Sequence, residues 1–377
     1  MRVAVLFIGG MHQALHIAPV AAALAAPKDI GVSAFVADMA DAEALSVLMV
    51  RLSAKPLNII IMALPFWLEW LVGLPGVKRI AKVTRLLFWC RDIRRHDAIL
   101  TAERSSTLLK RVPGRMPPMI HIPHGAGDRA KGFEPRLALF DHIIVAGPKD
   151  RRRMIAQGLV DEARCSVSGA IKVAACRRMQ CNSAPLFAND RPVILYNPHF
   201  DHRLGSWPAF AEPLIDAVVA SDRYNLIVAP HIRMFEMASE AERDVWRQRA
   251  VAGQVIVDLD SERLNDMSYT SAADIYVGDV SSQVYEFLTV AKPCIFIDAH
   301  GAAWRDNPDY AMWQFGPVCS DMTQIIDALD HAMERHSDYI DVQHHMVADA
   351  LGDSGDQAAE IAAKQLVEAV DALNRSV

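Results

Sequence analysis

The sequence predicts an α/β protein made of two parallel-sheet, Rossmann-like domains that face each other across a cleft. Three observations predict this fold. The chain has 377 residues, enough for two domains of ordinary size. It is 52% hydrophobic and 22% charged, which supplies substantial cores. Short apolar runs alternate with helix-like runs along most of its length, the pattern of parallel strands joined by crossover helices.

The elements are predicted in order. Val3–Ile8 is a buried strand running into the Gly9-Gly10 turn, and His12–Ala25 is an alanine-rich helix. Val32–Val36 is a strand and Ala40–Leu52 a helix. Strands follow at 97–100, 119–122, 142–146 and 166–168, with helices over Ser105–Lys110 and Lys149–Gln157. Gln180–Pro192 has no apolar period and carries two prolines, which marks an interdomain linker. A second series starts at Val193–Tyr196. Strands at Asn225–Ala229, Val255–Val257, Ile275–Val277 and Cys294–Ile297 alternate with helices at Pro208–Ser221, Ser239–Ala252 and Val284–Ala291. A short helix lies within Ser261–Ser271, and longer ones run over Met322–Glu334 and Gln357–Asn374. The domains are expected at 1–180 and 181–355, with a C-terminal helix over 356–377.

The segment Leu57–Leu68 is almost wholly apolar but falls short of the roughly 20 residues that span a bilayer. Over Val77–Arg95, seven basic side chains face one acid, Asp92, a net of +6, with apolar residues interleaved. Residues 57–95 are therefore expected either to lie on an anionic membrane surface or to form a buried helix with a solvated basic face. The formal charge of the whole chain is −6, which argues against a general nucleic-acid binder. The six cysteines form no CxxC motif, and the N-terminus reads as a strand rather than a secretory leader. A reducing cytoplasm is the expected location.

Four polar motifs follow strands, the end of a parallel sheet where ligands bind. His121-Ile-Pro-His124-Gly125-Ala-Gly127-Asp128 places His124 to act as a general base or phosphate ligand, with glycines that allow close approach. His121 alternates away from it. In Asn197-Pro-His199-Phe-Asp-His-Arg203, His199 and Arg203 could touch an anionic substrate; a metal site there lacks a partner cluster of acids or cysteines. His231 follows the strand ending at Ala229, with Arg233 two residues on. In Gly278-Asp279-Val-Ser281-Ser282-Gln-Val-Tyr-Glu286, the serines could cap a helix or hold phosphate, and Asp279 could orient a ribose hydroxyl or a histidine. No GxGxxG, GxxxxGK[ST], GxSxG or HExxH motif is present. No cofactor and no metal is expected.

The order of these motifs resembles the CDP-glycerol glycerophosphotransferase family, of the teichoic-acid polymerase and primase type, within the GT-B glycosyltransferase superfamily. The residues that carry it are His124-Gly125, Val145-Ala-Gly-Pro148, Ile194-Leu-Tyr-Asn-Pro198, Pro230-His231, and Asp279-x-Ser281-Ser282-x-x-x-Glu286 with Lys292-Pro-Cys-Ile-Phe296. The resemblance covers Met119–Ile297. It implies His124 as the base that deprotonates the acceptor hydroxyl and His231 as a donor-phosphate contact. Ser281 and Ser282 become phosphate-binding hydroxyls, with Asp279 and Glu286 as the flanking acids. Pro123 stands where the family has an aromatic, and Asn197-Pro-His-Phe200 replaces Ala-Pro-Thr-Trp.

The expected activity is transfer of a glycerophosphate, or a related phospho-alcohol or sugar, from a nucleotide-diphosphate donor to a hydroxyl of a membrane-linked or glycan acceptor. The donor is CDP-glycerol, another CDP-alcohol or a nucleotide sugar. Two readings compete with it: a UDP-sugar 2-epimerase of the same architecture, and a non-catalytic nucleotide- or lipid-binding protein.

Overall fold

A computed structural model describes residues 1–72, 78–125, 128, 132–179, 185–353 and 355–375. The described residues form thirteen strands: β1 (Arg2–Phe7), β2 (Gly31–Val36), β3 (Asn58–Ile61), β4 (Ala98–Thr101), β5 (Met119–His121), β6 (His142–Val145), β7 (Cys165–Val167), β8 (Val193–Asn197), β9 (Asn225–Val228), β10 (Val255–Val257), β11 (Ile275–Gly278), β12 (Cys294–Ile297) and β13 (Val318–Cys319). The helices are α1 (Met11–Ala25), α2 (Met39–Arg51), α3 (Phe66–Val72), α4 (Lys78–Phe88), α5 (Cys90–Ile93), α6 (Pro148–Ala156), α7 (Ile171–Met179), α8 (Ala211–Ser221), α9 (Glu240–Arg247), α10 (Ser268–Ala272), α11 (Gln283–Phe287), α12 (Ile325–Glu334), α13 (Ile340–Leu351) and α14 (Ala358–Arg375).

The strands form two sheets, of order β3-β2-β1-β4-β5-β6-β7 and β10-β9-β8-β11-β12-β13. All the sheet pairings are parallel; Val3, for example, pairs with Val32 on one side and Ala98 on the other. Both sheets are Rossmann-like, as in GT-B folds, so the expected α/β class holds. In each, strand order reverses at one switch point, between β1 and β4 in the first sheet and between β8 and β11 in the second. Such points are where open α/β sheets bind ligands.

The chain divides into two units. Unit 1 comprises residues 1–126, 133–179 and 350–377, and unit 2 comprises 127–132 and 180–349. The last helix is not a separate appendage. It packs on α1, α7 and β6 of unit 1, and its Gln365 carboxamide donates to the Val167 carbonyl at 2.8 Å. Its apolar side, Ala358, Ala362, Leu366 and Val370, is buried. Asp128, which follows the His-Gly turn in sequence, groups with unit 2, where it is buried and accepts from the Tyr285 hydroxyl at 2.6 Å. The expected linker begins at residues outside those described; its later part is tied to unit 2 by Asn189, which donates to Gly253 O at 3.0 Å.

The 57–95 region differs from a single amphipathic stretch. Asn58–Ile61 is spent as edge strand β3, in register with Ser33–Val36 of β2. Leu86, Cys90 and Ile93 are buried, whereas Phe66, Trp67, Trp70, Ile80, Leu87 and Phe88 are exposed. The basic charge is partly consumed by acids, two of them distant in sequence. Lys82 bridges Glu103 at 2.8 Å, Arg85 bridges Glu69 at 2.6 Å, and Arg95 bridges Asp92 at 2.8 Å. No described helix is long and apolar enough to cross a membrane.

Candidate functional site

In unit 1 the switch point delivers two loops. The first leaves β1 through Gly9 and Gly10 into α1, which brings His12 to its first turn. The second leaves β4 and carries Glu103 and Arg104. The adjoining strand β5 leads to His124, on a turn where Gly125 adopts φ +83°, a region open to glycine. The rings of His124 and His12 meet edge to face, with centroids 5.7 Å apart. Burial lowers the pKa of His124; the backbone of Ala102 opposes this, and Arg104 reinforces it. Part of the His124 surface nevertheless remains open to solvent. His121 is 1% exposed, stacked on Phe140 at 4.4 Å, and held by the Thr101 carbonyl at 3.1 Å, so it serves the core. Burial alone would raise the pKa of Glu103, but the hydrogen bond from Lys82 and that from the Ser105 N–H bring it down to about 2.

In unit 2 the switch point brings together the loops after β8 and β11. Asp279 is fully buried. Its Oδ2 accepts from the backbone N–H of His199 at 2.9 Å and of Ser206 at 3.0 Å, while the Trp313 indole donates to its carbonyl at 3.1 Å. Its Oδ1 has no hydrogen-bond partner. Burial therefore wins over the two N–H groups and lifts the carboxyl to about 6. Asp279 is thus a buried pin that joins the β8 and β11 loops. At Gly205, an added Cβ would lie 2.2 Å from the His199 carbonyl oxygen, so only glycine lets the loop fold back so closely.

The pinned loop presents an aromatic group. The ring centroids of His199 and His231 lie 5.7 Å apart, those of Phe200 and His231 4.7 Å, and the Arg233 guanidinium sits 4.1 Å over Phe200. The backbone N–H of His231 donates to Pro198 O at 3.0 Å, which locks the β9 loop to the β8 loop. Arg203 is exposed and its guanidinium pairs with Asp201, both oxygens at 3.2 Å. The Asp201 N–H donates to His199 Nδ1 at 3.0 Å. His199 Nδ1 and both Asp201 carboxylate oxygens thus take part in bonds within this turn, and among the described residues no group of three His, Cys, Asp or Glu is placed to hold a metal ion.

Ser281 is buried and its Oγ accepts from the Gln283 N–H at 3.3 Å, a short cap. Ser282 is half-buried at the N-cap position of α11, and its side chain makes no capping bond. The helix is shorter than expected and ends at Phe287, before the β-branched Thr289-Val290 pair and Pro293. Glu286 is half-buried on it. The structure thus gathers His199, His231, Asp279, Ser281 and Ser282 at one end of the second sheet. Arg203 is turned to its own loop. Sequence reasoning missed Arg233 over Phe200, the Trp313 clamp, and His12. Of these, only His12 carried a usable signal, since it directly follows a strand and a Gly-Gly turn.

Comparison with known proteins places these loops in context. Residues 181–352 match the family described as CDP-Glycerol:Poly(glycerophosphate) glycerophosphotransferase, so the resemblance read from the motifs holds over that part of the chain. Among solved structures, a putative UDP-N-acetylglucosamine 2-epimerase from Listeria monocytogenes is 12% identical with a TM-score of 0.67, and the match covers 100% of this chain and 97% of that one. The UDP-GlcNAc 2-epimerase from Neisseria meningitidis bound to UDP-GlcNAc is 14% identical with a TM-score of 0.66, covering 98% and 100%. The wall teichoic acid polymerase TagF soaked with CDPG is 11% identical with a TM-score of 0.64, covering 99% and 89%. At these identities the likeness is one of fold. No curated protein sequence matches the chain.

Proposed function

We propose that this protein is a transferase that moves a glycerophosphate, or a related phospho-alcohol or sugar, from a nucleotide-diphosphate donor to a hydroxyl of a membrane-linked or glycan acceptor. CDP-glycerol is the first donor to test. The observation that carries this reading is the family match over 181–352, which spans every loop at the switch point of the second sheet.

In this reaction the acceptor oxygen forms a bond to the donor's β-phosphorus. The bond from that phosphorus to the bridging oxygen breaks, and the nucleoside monophosphate leaves with the electron pair. His124 takes the acceptor proton. A base must be unprotonated at neutral pH, and the lowered pKa of His124 supports this role. His231, Ser281 and Ser282 stabilise the departing phosphate, with His199 beside His231. Asp279 acts indirectly, by fixing the loop that bears His199. Glu286 and Gly125 complete the donor-side and turn residues in this reading.

Aromatic and aliphatic side chains exposed on α3 and α4, with exposed Arg91, support a peripheral contact with an anionic membrane from the cytoplasmic side. The test is transfer from labelled CDP-glycerol to a lipid-linked acceptor, run beside a thermal-shift screen of CDP-glycerol, CDP, UDP-sugars and GDP-sugars. Transfer that requires both donor and acceptor, and is abolished in His124→Ala, supports the reading. Turnover of UDP-GlcNAc with no acceptor would instead identify an epimerase.

A further inference from the structure

The first sheet holds a basic cluster that the transfer chemistry above does not use. His12 and His16 lie one turn apart on α1 and so share a face. Each is only partly buried. His12 meets His124 at 5.7 Å. Lys172, 6% exposed, lies on α7, which packs against α1. The geometry of the preceding turn fixes this arrangement. A Cβ on Gly9 would sit 1.7 Å from the Gln13 Oε1, so the carboxamide rests on bare backbone and pins the first turn of α1. The acidic neighbour, Glu103, already bonds Lys82 at 2.8 Å and reaches Gln13 Nε2 at 3.5 Å. Bases from α1, α7 and the β5 loop thus converge at the ligand-binding end of the sheet.

We infer that His12, His16 and Lys172, beside His124, form a binding site for a phosphoryl or phosphodiester oxyanion. The inference rests on the transferase reading only for the source of that group, the acceptor or the donor. Two physical arguments support it. Imidazole N–H groups and an ammonium are the donors an oxyanion takes in charge-assisted bonds. These bases also act on one another, each making its neighbours harder to protonate. Burial and then His124 push His12 down to about 4, while burial and then Lys172 hold His16 well below the usual histidine range. The other charged groups that act on this cluster are Lys82, Arg104 and Glu103. A bound anion reverses the sign of the local field and favours imidazolium, so binding takes up protons.

The experiment is calorimetric titration of the full chain with inorganic phosphate and with glycerol 3-phosphate, using glycerol as the neutral control, at pH 6 and pH 8. Both anions are expected to bind and glycerol is not. Affinity is expected to be higher at pH 6, with proton uptake visible when buffers of different ionisation enthalpy are compared. His12→Gln and Lys172→Met are each expected to weaken binding roughly tenfold, the loss of one charge-assisted bond. His16→Gln extends the series if it folds. Phosphate that still binds with CDP present assigns the oxyanion to the acceptor; phosphate displaced by CDP assigns it to the donor, and both support the site. Equal affinity in the wild type and variants, or no phosphate binding to the wild type, overturns it. Phosphate binding without turnover of CDP-glycerol, any other CDP-alcohol or any nucleotide sugar would sink the transferase reading and leave this site standing.

Discussion

Asp279 offers the sharpest physical test. Its folded-state pKa is raised from 3.8 to about 6, first by burial. A carboxyl whose folded value lies above its unfolded value stabilises the fold most fully below the unfolded value. That contribution falls as pH rises through the interval and is flat above about 6. At about 1.4 kcal/mol per pH unit, the interval corresponds to roughly 3 kcal/mol. Asp279→Asn keeps an acceptor for the N–H groups of His199 and Ser206 and removes the titration. Urea unfolding of both proteins at intervals from pH 4 to pH 8 measures the effect. The stability of the wild type relative to the variant is expected to drop by about 2 kcal/mol between pH 4 and pH 6, then level off by pH 8. A difference that stays constant across this window would show that Asp279 ionises as an ordinary carboxylate, and that its two backbone donors outweigh its burial.

Other expectations follow from the same structure. Trp313→Phe removes the indole donor to the Asp279 carbonyl and is expected to cost about 1 kcal/mol in chemical denaturation. Leu366→Ala, fully buried on α14, is expected to destabilise by about 3 kcal/mol, read the same way. His124→Ala is expected to lower the transfer rate by about 10²–10⁴ while leaving the melting-temperature rise given by CDP unchanged. Replacing Phe66, Trp67 and Trp70 together with serine is expected to abolish sedimentation with anionic vesicles and leave stability within about 0.5 kcal/mol, since all three are exposed.

The strands of both sheets were legible because each is a short apolar run bounded by polar turns. The exceptions have physical causes. The apolar run that contains β3 continues beyond Ile61, so its period marks no boundary, and β13 has two residues, too few for any pattern. Helices α7 and α13 went unread, and with α7 the significance of Lys172. The strand-end histidines stood out because each follows an apolar run directly. His16 did not, since a histidine within an alanine-rich helix reads as core. The pairing of Arg203 with Asp201, of Lys82 with Glu103, and the burial of Asp279 all depend on side chains brought together by tertiary structure, which spacing cannot report.

The assignment of residues 350–377 to unit 1 bears on how the protein is made. Unit 2 is encoded almost without interruption, whereas the sheet of unit 1 is translated before it and the covering helix of unit 1 after it. Synthesis therefore leaves the α1 surface that α14 will cover bare until residues 358–375 have emerged. Unit 1 is completed only after unit 2 has been made, and its bare α1 surface is a site of aggregation during that interval.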